Sequence, residues 1–178
     1  MSSRKVVLYI ATSADGYIAK EDGDLGWLSA VEKPGEDYGY HEFVSTVDTV
    51  IMGRKTYDKV LSFGIEFPHK GRKCYVWSQS RTGSDDNVTY VNGPLASLIA
   101  ELKSTEGKDI FIDGGAEVVN QLMKEDLIDR YIISVIPVFI GGGIRLYNEG
   151  RPQQQLSLVR SMAYTSGLVQ TWYEPKAD

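Results

Sequence analysis

Short apolar runs alternate with longer amphipathic runs along most of the chain. Short runs rich in Val, Ile, Tyr and Phe predict strands, whereas apolar residues recurring every three or four positions predict helices. The predicted strands are 5–12, 48–53, 73–78, 87–91 and 108–113. The predicted helices are 36–47, one that starts at Lys55, 94–104 and 116–127.

The C-terminal third has a different pattern. A nearly continuous β-branched run predicts a strand over 130–140, and 156–175 predicts a hairpin that turns at Ser166 and Gly167. Strands that alternate with helices are typical of an α/β fold with a mostly parallel central sheet flanked by helices, and the hairpin adds an antiparallel C-terminal end. A chain of 178 residues suits one domain, so we expect 1–178 to share a single core.

Composition excludes several classes of protein. No apolar run approaches the roughly 18 residues that a membrane helix needs, and the apolar N-terminal run lacks a small-residue cleavage site and continues as a predicted strand. We therefore expect a cytoplasmic protein with no membrane partner. The single cysteine, Cys74, is expected to be a buried strand residue. Neither His41 nor His69 has a partner at metal-ligand spacing, so we expect no metal.

Positive charge is segregated within an acidic chain. Residues 53–81 hold seven basic and two acidic residues, a local charge of +5, while the whole chain carries −5 and the remainder therefore −10. This segregation favours a polyanionic small ligand over a nucleic acid that would need a generally basic surface. Gly53 at a strand end, the free N–H groups of the next helix and the Thr56 hydroxyl would suit a phosphate, although a solvated basic face explains the segment as well.

A second strand, glycine pair and helix start occur at "DIFIDGGAEVV". Two such sites could hold one dinucleotide, yet neither follows the G-x-G-x-x-G spacing, and a tight turn also needs glycine.

Five segments occur in the order and approximate spacing of the dihydrofolate reductase superfamily. They are "VVLYIATSADGYIA", "GWL", "VIMGRKTY", "GRKCYVWSQS" and "FIDGGAEVVNQLM". The later "LIDRYIISVIPVFIGGGIRLY" resembles the reductase domain of bacterial riboflavin biosynthesis, the RibD C-terminal family, and the acid Asp113 also resembles that branch. The resemblance implies a dihydrofolate-reductase-like fold, NADPH as the cofactor and a hydride-transfer reaction.

The resemblance assigns cofactor-binding positions. It places the adenosine-side phosphates at Gly53, Arg54, Lys55 and Thr56, and the adenine and 2′-phosphate at Ser78, Gln79, Ser80 and Arg81. It places the pyrophosphate at Gly114, Gly115, Ala116 and Glu117, and the nicotinamide against Ala11 and Ile18.

Catalytic and substrate residues are less sharply defined. Asp37 matches the substrate-binding carboxylate of dihydrofolate reductases, but an acid near a helix start is also explained by capping; Glu42 is a second candidate. Asp15 lies beside the expected nicotinamide edge or is a turn residue next to Gly16. Trp27 either stacks on a substrate or covers the core, and Arg72 either meets a substrate's anionic tail or forms a solvated pair with Lys73.

The sequence therefore predicts an NADPH-dependent reductase that resembles 5-amino-6-(5-phosphoribosylamino)uracil reductase. Dihydrofolate reductase is the alternative within this class, and a non-catalytic NADPH-binding protein is the alternative of another class. The expected partners are a pterin- or pyrimidine-like small molecule and a second copy of the chain, since strands near the C-terminus leave an unpaired edge.

Overall fold

One eight-stranded sheet forms the centre of the computed structural model, which describes residues 3–177, so the ends of the predicted domain lie outside the described residues. In chain order the strands are β1 (Val6–Ser13), β2 (Tyr17–Ala19), β3 (Val47–Gly53), β4 (Lys73–Trp77), β5 (Thr89–Val91), β6 (Asp109–Gly114), β7 (Arg130–Ile136), β8 (Ile144–Arg145), β9 (Leu156–Ala163) and β10 (Val169–Pro175). The helices are α1 (Tyr40–Ser45), α2 (Arg54–Ser62), α3 (Leu95–Lys103) and α4 (Ala116–Lys124), with a 3₁₀ helix at Gly26–Val31.

The sheet order is β5-β4-β3-β6-β1-β7-β10-β9, and its first six strands are parallel. The strand β10 runs antiparallel to both β7 and β9, while β2 and β8 form a separate antiparallel pair. The predicted α/β class with an antiparallel C-terminal hairpin is confirmed.

Two apolar layers cover the sheet because alternate strand residues face opposite sides. On one face, Leu8, Ile51 and Ile112 pack among buried residues of α3 and α4. On the other face, Met52 and Phe111 pack against Phe43 of α1 and Tyr57 of α2. Cys74 lies in this second layer and is buried, as predicted, and burial raises the pKa of its thiol to about 11.

Several predicted elements are shorter in the structure, including the helix predicted over 116–127, which ends at Lys124, and two differ more than the rest. The strand predicted over 130–140 ends at Ile136, because Pro137 has no N–H to continue the ladder. The helix predicted over 36–47 forms only at Tyr40–Ser45, since Tyr38 and Gly39 both have positive φ angles of 55° and 81°. The hairpin turn is confirmed, with the Gly167 N–H donating to the Tyr164 carbonyl at 2.9 Å.

Candidate functional site

The two glycine sites predicted for phosphates meet at the carboxyl edge of the sheet. Met52 of β3 pairs with Gly114 of β6, and the Gly115 N–H donates to the Thr56 hydroxyl at 2.9 Å. A Cβ built on Gly115 would lie 3.0 Å from Thr56 Oγ1, and one on Gly53 would lie 3.4 Å from a Val118 methyl. A side chain at Gly115 would therefore crowd the Thr56 hydroxyl, whereas a Cβ at Gly53 would make an ordinary van der Waals contact.

The helices α2 and α4 both begin at this junction, each after a glycine that offers no side-chain cap. The first N–H groups of a helix have no partner inside the helix, and they attract anions. The predicted residues Arg54, Lys55 and Thr56 form the first turn of α2, and Ala116 and Glu117 form that of α4. Two uncapped helix starts side by side suit a ligand with more than one phosphate, although the exposed Glu117 adds a negative charge at one of them.

Two arginines converge on one carboxylate beside α2. Arg54 Nη1 lies 2.9 Å from Asp58 Oδ2, and Arg81 contacts both Asp58 oxygens at 2.7 and 3.2 Å. The hydrogen bonds that Arg81 donates to Asp58 raise the pKa of the Arg81 guanidinium. Guanidinium groups bind the two oxygens of a carboxylate and two oxygens of a phosphate in a similar way. The two arginines therefore have a spacing that suits an anion between them.

The predicted adenine side lies at the end of β4. The buried Ser78 hydroxyl accepts the N–H groups of Ser80 and Arg81, so it fixes the turn that carries Arg81, while Gln79 and Ser80 are exposed. A cavity of about 190 Å³ adjoins this strand end and is lined in part by Trp77, Asn92 and Gly93. The sequence reasoning missed Trp77, although an aromatic residue at a strand end beside a predicted adenine site was a usable signal.

The main cleft, of about 520 Å³, lies at the carboxyl ends of β1 and β7. Its floor contains Ala11 and Ile136, with the polar groups of Tyr9 and Ser134 between them. Gln170 fixes these groups by donating to Tyr9 Oη at 3.3 Å and to Ser134 Oγ at 3.1 Å. Burial raises the pKa of Tyr9 to about 12, so the floor is neutral at ordinary pH.

The rim of the main cleft is the segment that contains the 3₁₀ helix and the turn before α1. It contributes four charged residues, Glu32, Lys33, Glu36 and Asp37. The Asp37 carboxylate accepts the N–H groups of His41 and Gly39, each at 3.0 Å, and lies 2.9 Å from His41 Nδ1. These hydrogen bonds lower the pKa of Asp37, whose side chain is 46% exposed. Asp37 therefore both faces the cleft and fixes the start of α1, whereas Glu42 lies outside the cleft lining.

Asp15 holds the glycine-rich loop that follows β7. It accepts a hydrogen bond from the Ser13 hydroxyl at 2.5 Å, from the Gly141 N–H at 2.8 Å and from the Ile140 N–H at 3.2 Å. The Ser13 bond contributes most to lowering its pKa. Gly143 approaches β2 so closely that a Cβ there would lie 2.2 Å from the Ala19 carbonyl oxygen. The geometry thus supports an anchoring role for Asp15 and for this loop.

The remaining predicted residues have different surroundings. Ala11 lies on the cleft floor, while Ile18 of β2 packs on the α3/α4 side of the sheet. Trp27 is only 8% exposed and packs with Val31, Ile136 and Leu168, which favours its core-covering interpretation. Arg72 lies outside the cleft lining at the amino end of β4, where it donates to the Val44 carbonyl at 2.9 Å. It is half-buried, whereas Lys73 is exposed.

A contact between the buried His69 and the partly exposed Asp113 was not predicted from the sequence. His69 is 2% exposed, and its Nε2 lies 2.9 Å from Asp113 Oδ2, while Phe67 and Phe111 flank its ring. Burial raises the pKa of Tyr40, a cleft residue, to about 12, and the nearby Asp113 charge adds to this effect. The available signal was an acid at a strand end directly before two glycines. The partners are 44 positions apart in the sequence, so the pattern did not connect them.

Within residues 3–177 the structure brings together no group of three or more His, Cys, Asp or Glu side chains that could hold a metal. Over the same residues, no helix has the length and apolar character to cross a bilayer.

The fold is dihydrofolate-reductase-like. The structure of dihydrofolate reductase from Enterococcus faecalis superposes with a TM-score of 0.68 at 15% identity, covering 97% of each chain, which shows the fold alone. The structure of a candidate riboflavin biosynthesis protein from Shewanella sp. PV-4 is more similar, with a TM-score of 0.89 and 36% identity over 97% of this chain and 99% of that one.

Sequence comparison identifies the family. Residues 76–170 match the RibD C-terminal domain, and the uncharacterised protein YwjB of Bacillus subtilis (strain 168) is 49% identical over 156 residues, or 87% of this chain and 89% of YwjB. The chain belongs to the RibD C-terminal domain family, as the sequence resemblance predicted. This membership supports a reductase of the riboflavin-pathway type.

Proposed function

We propose that this protein is an NADPH-dependent reductase that transfers hydride directly to a pyrimidine- or pterin-like small molecule. One observation carries the proposal: the strand–glycine–helix junction and an arginine pair lie at the same carboxyl edge of the sheet as the main cleft. Ligands of open α/β sheets bind outside the carboxyl ends of the strands, so one extended cofactor would reach both.

The residues present fit this cofactor. The backbone at Gly53, Gly114 and Gly115, together with the first turns of α2 and α4, would hold the pyrophosphate and the adenosine-side phosphates. Arg54 and Arg81 would exchange part of their contact with Asp58 for a 2′-phosphate. Ala11 offers a small apolar surface in the cleft, which suits an uncharged reduced ring, whereas Ile18 packs on the α3/α4 side of the sheet.

When bound, the nicotinamide supplies the hydride, and the chain's own residues orient the acceptor and limit water. The Tyr9 and Ser134 hydroxyls, which line the cleft, would hydrogen-bond a heterocycle, and the apolar Ala11 and Ile136 would pack against it. The lowered pKa values of Asp37 and Asp15 keep both carboxylates ionised at neutral pH. We therefore propose that Asp37 orients the substrate, that Asp15 positions the loop, and that water delivers the proton.

Dihydrofolate reduction is the second candidate, because Asp37 lines the cleft as the substrate carboxylate of that reaction would. In that case Asp37 would also provide the proton, directly or through water. Asp37→Asn, which removes the titratable carboxyl group and keeps its shape, distinguishes dihydrofolate reduction from the first candidate.

Cofactor binding tests the proposal most directly. We expect NADPH to bind at least about tenfold more tightly than NADH at low salt, with the difference shrinking as salt rises, because partly exposed charges are screened. Fluorescence titration of the two nucleotides measures both affinities. Arg81→Met should remove most of the difference, whereas the matched Lys70→Met, at an exposed lysine paired with Glu66, should leave it unchanged. Equal affinities for the two nucleotides at low salt would contradict the proposal.

A further inference from the structure

The main cleft differs in charge from the phosphate-binding junction beside it. Its lining holds three carboxylates, of Glu32, Glu36 and Asp37, against one ammonium group, of Lys33. The lining as a whole therefore carries a charge of −2, with every charge on the rim and a neutral floor beneath. The seven basic residues of 53–81 contribute none of the lining side chains.

The single lysine of the lining forms a hydrogen bond outside the cleft lining. Lys33 Nζ donates to the Thr165 hydroxyl at 3.2 Å, which directs it towards the β9–β10 turn. Among the acids, Glu36 accepts the Tyr38 N–H at 2.8 Å, so its carboxylate is fixed at the rim. The Asp37 charge reaches the floor, because it is one of the nearby charges that add to the burial effect on the pKa of Tyr9.

Two arginines approach this side of the sheet without lining the cleft. Arg72 lies near Tyr40 but donates to the Val44 carbonyl, and the Arg160 guanidinium lies 4.7 Å from the centre of the Trp172 ring. A phosphate on a ligand in the cleft would adjoin the rim carboxylates, because they line the cleft and neither arginine does. Because a net negative charge repels an anionic ligand, a lining charge of −2 opposes the entry of a phosphate.

Building on the proposed function, we infer that the main cleft accepts an unphosphorylated ring, uncharged or positively charged, and that Glu32, Glu36 and Asp37 exclude the phosphorylated form. The neutral hydrogen-bonding groups of Tyr9 and Ser134 hold the ring itself. The substrate of this protein is then a pyrimidine or pterin without an anionic tail, and not a 5-phosphoribosyl compound.

Two ligand pairs that differ in an anionic tail test this inference. The first pair is 5-amino-6-ribosylaminouracil and its 5′-phosphate, and the second is a dihydropterin and dihydrofolate. Affinities are measured by calorimetry with and without NADPH, and turnover is measured as NADPH oxidation. The unphosphorylated or tail-free member of at least one pair should bind about tenfold more tightly at low salt, and the ratio should shrink as salt rises.

A charge variant with a matched control tests the role of the rim. Glu32→Lys with Glu36→Gln changes the lining charge by +3 and keeps an acceptor for the Tyr38 N–H. Its control, Glu106→Lys with Glu125→Gln, makes the same change at exposed acids outside the lining. The rim variant should reverse or abolish the preference, and the control should retain it.

Each remaining outcome contradicts the inference. If the wild type bound the phosphorylated member of the ribosylaminouracil pair more tightly, the cleft would contain an anion subsite. Loss of that preference in Arg72→Met or Arg160→Met would locate the subsite at that arginine. A preference unchanged in the rim variant, or the absence of binding by all four compounds, would equally overturn it. Failure of the proposed function is a separate result, seen as no NADPH binding or no oxidation, because the ligand affinities are measured without NADPH as well.

Discussion

At the scale of single residues, Asp37 shows how one carboxylate can belong both to a helix start and to a ligand cleft. Its oxygens accept backbone N–H groups of Gly39 and His41, and the same side chain lines the main cleft. The hydrogen bonds lower its pKa, which suits a carboxylate that remains ionised and suits a neutral-pH proton donor poorly.

Replacement of Asp37 by Asn tests its role in proton transfer. The amide oxygen still accepts a backbone N–H, so we expect a fall of only a few degrees in Tm, unchanged NADPH affinity and most of the turnover retained. General acid catalysis contributes about 10²–10⁴-fold, so a collapse of that size in kcat with folding intact would support dihydrofolate-reductase-like chemistry instead. Glu42→Gln, which removes an exposed acid from the first turn of α1, is the matched control.

Asp15 gives a prediction about pH. Its folded pKa is lower than that of the unfolded chain, so its contribution to stability is present above the unfolded value of about 4 and is lost as the pH falls through the folded value. Asp15→Asn should unfold at a lower temperature than the wild type at pH 7, and the gap should narrow below about pH 4. Asp86→Asn, at an exposed acid, should show no such gap, and a gap independent of pH would contradict the expectation.

At the scale of secondary structure elements, the site depends on two strand–glycine–helix units that the sheet sets side by side. In the second unit sterics favour glycine, because Gly114 has a φ of +116° and a Cβ on Gly115 would lie 3.0 Å from Thr56 Oγ1. The pairing of β3 with β6 then brings the starts of α2 and α4 together.

Gly115→Val tests whether this junction binds the cofactor. A Cβ at Gly115 already meets Thr56 Oγ1 at 3.0 Å, and the branched side chain adds bulk where phosphate must approach backbone. NADPH affinity should fall at least about tenfold, measured by fluorescence titration on protein shown to be folded by circular dichroism. Gly142→Val is the control, since nothing lies within 4 Å of a Cβ there. Normal NADPH binding by folded Gly115→Val protein would show that the pyrophosphate lies elsewhere.

At the scale of the whole molecule, β9 forms an open edge of the sheet. It is eight residues long, contains no proline and leaves Leu158 and Val159 at least half exposed. Within the part of the chain that the structure describes, β10 is its only strand partner. An edge of this kind pairs readily with another chain, and we propose that a second copy of the protein covers it.

Light scattering coupled to size-exclusion chromatography measures this association. We expect the wild type to be a dimer and Leu158→Lys to shift it towards the monomer, because an edge lysine opposes pairing. Ile65→Lys, which changes an exposed residue far from β9 in the chain, should remain dimeric. A monomeric wild type at micromolar concentration would refute the proposed dimer.

The sequence by itself determined the alternation of strands and helices, the parallel sheet and the two glycine sites, because these depend on local periodicity and on the steric freedom of glycine. Pattern alone also located the hairpin turn at Gly167. It placed the ends of elements less well, since Pro137 stops β7 within an apolar run and Tyr38 and Gly39 delay α1.

Tertiary structure decided which distant groups meet. Three sets of contacts depend on which strands become neighbours, and the periodicity of the sequence does not specify this. They are the His69–Asp113 contact, the ion pairs of Arg54 and Arg81 with Asp58, and the hydrogen bond from Arg72 to α1. The charge of the main cleft was also not predictable from the sequence. Glu32, Glu36 and Asp37 line the cleft because the segment before α1 packs over β1 and β7. Electrostatic fields depend on distance in space, so local sequence charge did not predict the charge of the cleft.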